Sequence, residues 1–178
     1  GAVGDGTFEA GTGSFFSVSA VATEQVSVLI ELPDPNSSSK LGRKGLTGHT
    51  GVGVGDEYWD YGPQPGEGAS LFGSDGRPWW DAFATPDGDA DLGEILEYTR
   101  ARGKSVSLFT RNVTSAQAAA VRTYWNELYS DPGTYHFAGR QCTSAAAASL
   151  RAGGLGSFDA LRPANLAEQL RAAGWMER

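Results

Sequence analysis

Gly48-His49-Thr50-Gly51-Val52-Gly53-Val54-Gly55 is the stretch on which the fold of this chain turns. Successive side chains of a strand alternate, so Thr50, Val52 and Val54 fall on one face and His49, Gly51, Gly53 and Gly55 on the other. The second face is almost bare backbone. Glycine weakens a strand, and such a run predicts close approach by another element. A hairpin turn at Gly55-Asp56-Glu57-Tyr58 then returns the chain through Tyr58-Trp59-Asp60-Tyr61, with Gly62-Pro63 as its stop. The expected visitor to the glycine face is the Ala-rich helix Thr143-Ser144-Ala145-Ala146-Ala147-Ala148-Ser149-Leu150. Packed there, it brings Cys142 close to His49, although 93 positions separate them.

Working outward, Val26, Val28, Ile30 and Leu32 alternate with Ser27, Leu29 and Glu31, the period of a half-buried strand that Pro33-Asp34-Pro35-Asn36 ends. Ser37 to Lys44 reads as a loop leading to His49. In the Gly-rich first twenty residues, Thr7-Phe8-Glu9 and Ser14-Phe15-Phe16-Ser17-Val18 suit short edge strands. Residues 62–91 read as a long ordered excursion, because the aromatics of Trp79-Trp80-Asp81-Ala82-Phe83 require burial. Asp91 to Arg102 suits a short helix ending at Gly103, and Ser105 to Phe109 a strand. Thr114-Ser115-Ala116-Gln117 forms a capping box for a helix through Tyr129, stopped by Asp131-Pro132-Gly133. A last helix begins near Pro163 and ends before Gly174, with Leu166 and Leu170 on one face. With no internal repeat or composition break, residues 1–178 are expected to form a single α+β domain, a central antiparallel sheet packed against helices.

The chain has 178 residues, 14 Lys and Arg against 21 Asp and Glu, and a formal net charge of −7. That sign argues against nonspecific binding to nucleic acid or to an anionic membrane. No apolar run approaches the roughly 20 residues of a spanning helix, and the first twenty residues lack a signal peptide's basic start. A soluble monomer is expected. One cysteine excludes an internal disulfide. Opening on Gly1 rather than Met suggests a processed product or an excised C-terminal domain, which leaves the compartment open.

The chemistry centres on Cys142, where the loop Tyr135-His136-Phe137-Ala138-Gly139-Arg140-Gln141 runs into the Ala-rich helix. A helix N-terminus offers unsatisfied N–H groups and partial positive charge, which lower a thiol's pKa and leave donors for an anion forming beside the sulfur. Most free cysteines in alanine runs are only small buried apolar residues. The histidine strand changes that balance: Cys142 reads as nucleophile, His49 as base, and the Cys142 N–H with the Gln141 side chain as oxyanion donors. His136, the other histidine, is the competing base. The residue that orients the imidazole is Asp60, on the His49 face if the turn has two or four residues, or Gln64 in another register. Asp87-Gly88-Asp89-Ala90-Asp91 begins like a calcium loop but departs from the template, with Tyr98 where a bidentate Glu belongs. No spacing suits zinc, the glycines at 51–55 lack the helix of a phosphate loop, and no cofactor is expected.

A histidine on a strand, then a cysteine at a helix N-terminus, resembles the circularly permuted papain-like fold, which includes the permuted NlpC-type cell-wall hydrolases and the lecithin:retinol acyltransferase-like enzymes. The matching pieces are residues 48–55 with Tyr58-Trp59-Asp60-Tyr61-Gly62-Pro63, and residues 135–144. The resemblance implies a catalytic thiolate at Cys142, a base at His49 and an orienting polar residue from the next strand. Gln141 stands where Asn is often found, and the second histidine of the acyltransferase branch is missing, which favours amide hydrolysis of a peptide or peptidoglycan stem over lipid acyl transfer. A noncatalytic binding domain with a structural cysteine is the other alternative. An excised domain of this type also resembles the C-terminal toxin domains of Rhs-type effectors, which implies delivery into a target cell and a cognate immunity protein as partner.

Overall fold

The computed structural model describes residues 23–34, 36, 48–63, 73–79 and 90–178. The apolar alternation around Val28 forms β1 (Thr23–Glu31), and the glycine-faced stretch forms β2 (His49–Val54). The chain turns back into β3 (Glu57–Pro63), and β4 (Ser74–Trp79) and the short β5 (Ala90–Asp91) follow. Then come α1 (Leu92–Ala101), β6 (Val106–Thr114), α2 (Ser115–Ser130) and β7 (Thr134–Tyr135). The last elements are α3 (Cys142–Ala152), α4 (Pro163–Ala172) and β8 (Met176–Glu177). The strands build an antiparallel sheet in the order β7-β4-β3-β2-β1-β6-β8, with β5 also paired to β3.

β1 corrects the expectation of a half-buried strand. It lies between β2 and β6, and Ser27 and Leu29 on its polar-alternating face are as buried as Val26 and Val28. Helices cover both sides. On one face, Val28, Val52, Val54 and Trp59 pack with Val121 and Trp125 of α2, Ala146 and Leu150 of α3, and Leu166 of α4. On the other, Leu29, Tyr58 and Leu108 form a smaller cluster with Leu92 and Ile95 of α1. Burial of each large apolar side chain stabilises the fold by roughly 1.5–3 kcal/mol, so among the described residues the first face carries most of that stability.

β6 runs further than expected, to Thr114, because all nine residues of β1 pair with it, from Thr23↔Thr114 to Glu31↔Val106. Its polar second half finds other partners, such as the Arg111 guanidinium donating to the Leu155 carbonyl at 3.0 Å. The capping box at Thr114 forms as the sequence predicts, with the Gln117 N–H donating to Thr114 Oγ1 at 3.1 Å and the Thr114 N–H to Gln117 Oε1 at 3.0 Å. Asp91, the end of the calcium-like run, caps α1 by accepting the Glu94 N–H at 3.0 Å. Asp87 and Asp89, Trp80 to Phe83, and the short strands expected before residue 20 lie outside the described residues.

Candidate active site

Two local devices aim His49 at the end of the sheet. Gly48 takes φ +130°, and a Cβ there would stand 2.5 Å from the Glu31 carbonyl oxygen, so only glycine lets the chain enter β2 along this path. Across β2, the turn has two residues, since Val54 pairs with Glu57 and Gly55 adopts φ +60°, as the first residue of a type II′ turn does. Gly51 then lies opposite Asp60 and Gly53 opposite Tyr58. Asp60 thus shares the His49 face, as the two-residue turn requires, and His49 Nε2 meets Asp60 Oδ2 at 2.7 Å. The Asp60 side chain is 4% exposed and that of His49 29%. Gln64 lies outside the described residues.

The glycine face is not covered by α3, contrary to the sequence-based expectation. The Tyr58 hydroxyl occupies the place of a Gly51 Cβ, which would lie 2.0 Å from it, and Leu92 of α1 closes over Gly53. α3 packs on the opposite, Thr50, Val52 and Val54 face. Its first turn is latched to β2 by the buried pair Thr50 Oγ1 and Thr143 Oγ1, 3.0 Å apart. Each threonine directly follows a site residue, so the latch fixes Cys142 beside His49 at the sheet's end. The site therefore straddles the sheet, with Asp60 on the α1 side, Cys142 on the α3 side and the imidazole between.

With Nε2 committed to Asp60, the nitrogen left for the thiol is Nδ1. Burial disfavours the imidazolium, but the charge and hydrogen bond of Asp60, reinforced by Cys142, hold the His49 pKa well above 6.5. Burial likewise opposes the thiolate. Hydrogen bonding and charge from His49, the Thr50 N–H and the Thr143 hydroxyl outweigh it and bring the Cys142 pKa below its ordinary value. The Thr50 N–H is available because β2 and β3 pair only from Gly51↔Asp60 onward.

The cap of α3 settles the place of Gln141. Its Oε1 accepts the Thr143 N–H at 2.5 Å, its Nε2 donates to the Leu161 carbonyl, and its own N–H donates to Ser144 Oγ at 2.8 Å. The side chain expected to donate to an oxyanion is thus spent on the helix end. The cap leaves the Cys142 N–H, and the buried Tyr135 hydroxyl sits against it and the thiol. Burial and the negative charge of the Cys142 thiolate push the Tyr135 pKa above its ordinary value, with the Cys142 N–H working against them. His136, the competing base, is exposed, with its ring beside Gly73 and its N–H donating to the Arg140 carbonyl at 2.8 Å.

Sequence reasoning does not single out Tyr58, Thr143 or Tyr135. Tyr58 carries a usable signal, two places before Asp60 on the same strand face and across from the glycines. Tyr135 has none beyond membership of the loop before Cys142. Among the described residues, no cluster of metal-ligating side chains forms and no helix is long and apolar enough to cross a membrane. In comparison with known proteins, no family model, curated protein or solved structure matches the chain.

Proposed function

We propose that this chain is a circularly permuted papain-like cysteine hydrolase that cleaves an amide bond of a peptide or peptidoglycan stem through a thioester. The observation that carries this reading is the single line Asp60, His49, Cys142, with the imidazole hydrogen-bonded to a buried carboxylate and next to a thiol at a helix N-terminus. The Cys142 thiolate attacks the amide carbon, and the Cys142 N–H and Tyr135 O–H donate to the oxyanion that forms. Protonated His49 gives its proton to the leaving amine nitrogen as the C–N bond breaks. Neutral His49 then takes a proton from water, whose oxygen attacks the thioester carbon; the C–S bond breaks, the acid departs and the resting pair returns. Asp60 holds the ring and favours its charged form throughout.

The test is alkylation of Cys142 by iodoacetamide as a function of pH, followed by digestion of purified peptidoglycan. Wild type is expected to label with a midpoint clearly below the free value of about 8.5, and His49→Ala with one near it. Cys142→Ala is expected to abolish release of stem fragments. A wild-type midpoint near 8.5, or equal digestion by Cys142→Ala, overturns the reading.

A further inference from the structure

Resting on that reading, we infer that Tyr58 is a positioning residue of the site, holding the Asp60 carboxylate in the plane that His49 needs, and that Gly51 is glycine to make room for it. Asp60 is 3% exposed, and its Oδ1 is buried without a hydrogen-bond partner among the described residues. The hydrogen bonds seen to this carboxylate therefore converge on Oδ2, which accepts from His49 Nε2 at 2.7 Å and from the Tyr58 hydroxyl at 3.2 Å. Two donors on one oxygen fix the rotation of the carboxylate, whereas with His49 alone either oxygen can serve and the imidazole loses a defined partner.

The surroundings argue that the hydroxyl, rather than the ring, is what Tyr58 contributes. Its neighbours Leu29, Leu92, Ile95 and Leu108 are apolar, and phenylalanine would fill that cluster without burying a polar atom. Across the ladder, a Cβ added at Gly51 would meet the hydroxyl oxygen first, at 2.0 Å, and then the ring carbons Cζ and Cε2 at 2.3 and 2.4 Å. Even alanine at 51 would displace the tyrosine from the carboxylate. At Gly51 the bare strand face is thus a mould for the Tyr58 side chain, and the chain of dependence runs from Gly51 through Tyr58, Asp60 and His49 to Cys142. Among the described residues, the other titratable groups at this end are Cys142 and Tyr135 on the α3 side, and Glu31 opposite His49 on β1, itself engaged by Arg102 and Lys104 at 3.9 and 3.8 Å.

The experiment uses the full chain with Tyr58→Phe and Gly51→Ala, read by the pH dependence of iodoacetamide labelling, by NMR titration of the histidines and by thermal unfolding. With two histidines in the chain, exposed His136 is the internal control. In Tyr58→Phe the labelling midpoint is expected to rise, and the His49 titration midpoint to fall, each by about 0.5–1 unit, since a carboxylate free to rotate holds the imidazolium less firmly. Gly51→Ala should displace both midpoints the same way. A lowered melting temperature with both midpoints unmoved in Tyr58→Phe would show a tyrosine that only packs, and overturns the inference while the Cys142–His49 reading stands. A wild-type labelling midpoint near 8.5 overturns both together.

Discussion

Among the described residues, Val28, Val52, Trp125, Ala146, Leu150 and Leu166 on one face of the sheet pack with α2, α3 and α4; on the other, Leu29, Tyr58, Leu92, Ile95 and Leu108 cluster with α1. The thick layer is made of close-packed aliphatic and small side chains, and it sets the position of α3 and therefore of the thiol. The thin layer encloses a tyrosine and a carboxylate. His49, at the first position of β2, touches the chemistry of both. The carboxylate and the thiol are thus carried on opposite sides of the sheet, and they meet at His49 only while the two layers stay in register.

The largest effect that can test this division is a cavity in the thick layer. Leu150→Ala removes a fully buried side chain and is expected to cost about 2–5 kcal/mol in denaturant unfolding, while Leu92→Ala, at 9% exposure, falls at or below the lower end. Equal losses would break the contrast. Asp60→Asn probes the thin layer, where the effect depends on pH. The His49 pKa is raised in the folded state chiefly against burial by Asp60, so this pairing stabilises fully below the unfolded value of about 6.5 and is lost as pH rises through the folded value. The melting-temperature gap between wild type and Asp60→Asn should be widest at acidic pH and close on the alkaline side; a gap that grows with pH would contradict the assignment. Peptidoglycan digestion by this variant should fall on the order of 10²–10⁴-fold. Smallest is Thr114→Ala, which removes the cap of α2 on the thick side. It should cost about 1 kcal/mol and leave the Cys142 labelling midpoint where it was.

Much of the site is legible in the sequence because its signals are local. A strand period of two puts Asp60 on the His49 face if the Gly-Asp turn has two residues, which the sequence leaves open against Gln64 in another register, and the break from a Gly-containing loop into alanines marks the helix that Cys142 begins. The side of the sheet that α3 takes is not legible. Both faces of β2 are buried, and a bare strand face looks the same in sequence whether a helix backbone or a tyrosine hydroxyl fills it. Gln141 illustrates another limit, since a side-chain amide serves equally as an oxyanion donor or a helix cap, and only the partners Thr143 and Leu161 decide. β4 is hidden because Ser74-Asp75-Gly76-Arg77 has no apolar alternation, and β7 because two residues are too few to show any.

The turn at Gly55 and Asp56 gives the molecule an unusual sensitivity to length. Surface hairpins are ordinarily where a gene absorbs an inserted or deleted codon at little harm. Here a single added residue that shifted β3 by one step against β2 would carry Asp60 through the plane of the sheet and present Trp59 or Tyr61 beneath the imidazole instead. The composition of the site would be intact and its chemistry gone. In this fold the count of residues in a solvent-facing loop is itself a heritable part of what sets Asp60 against His49.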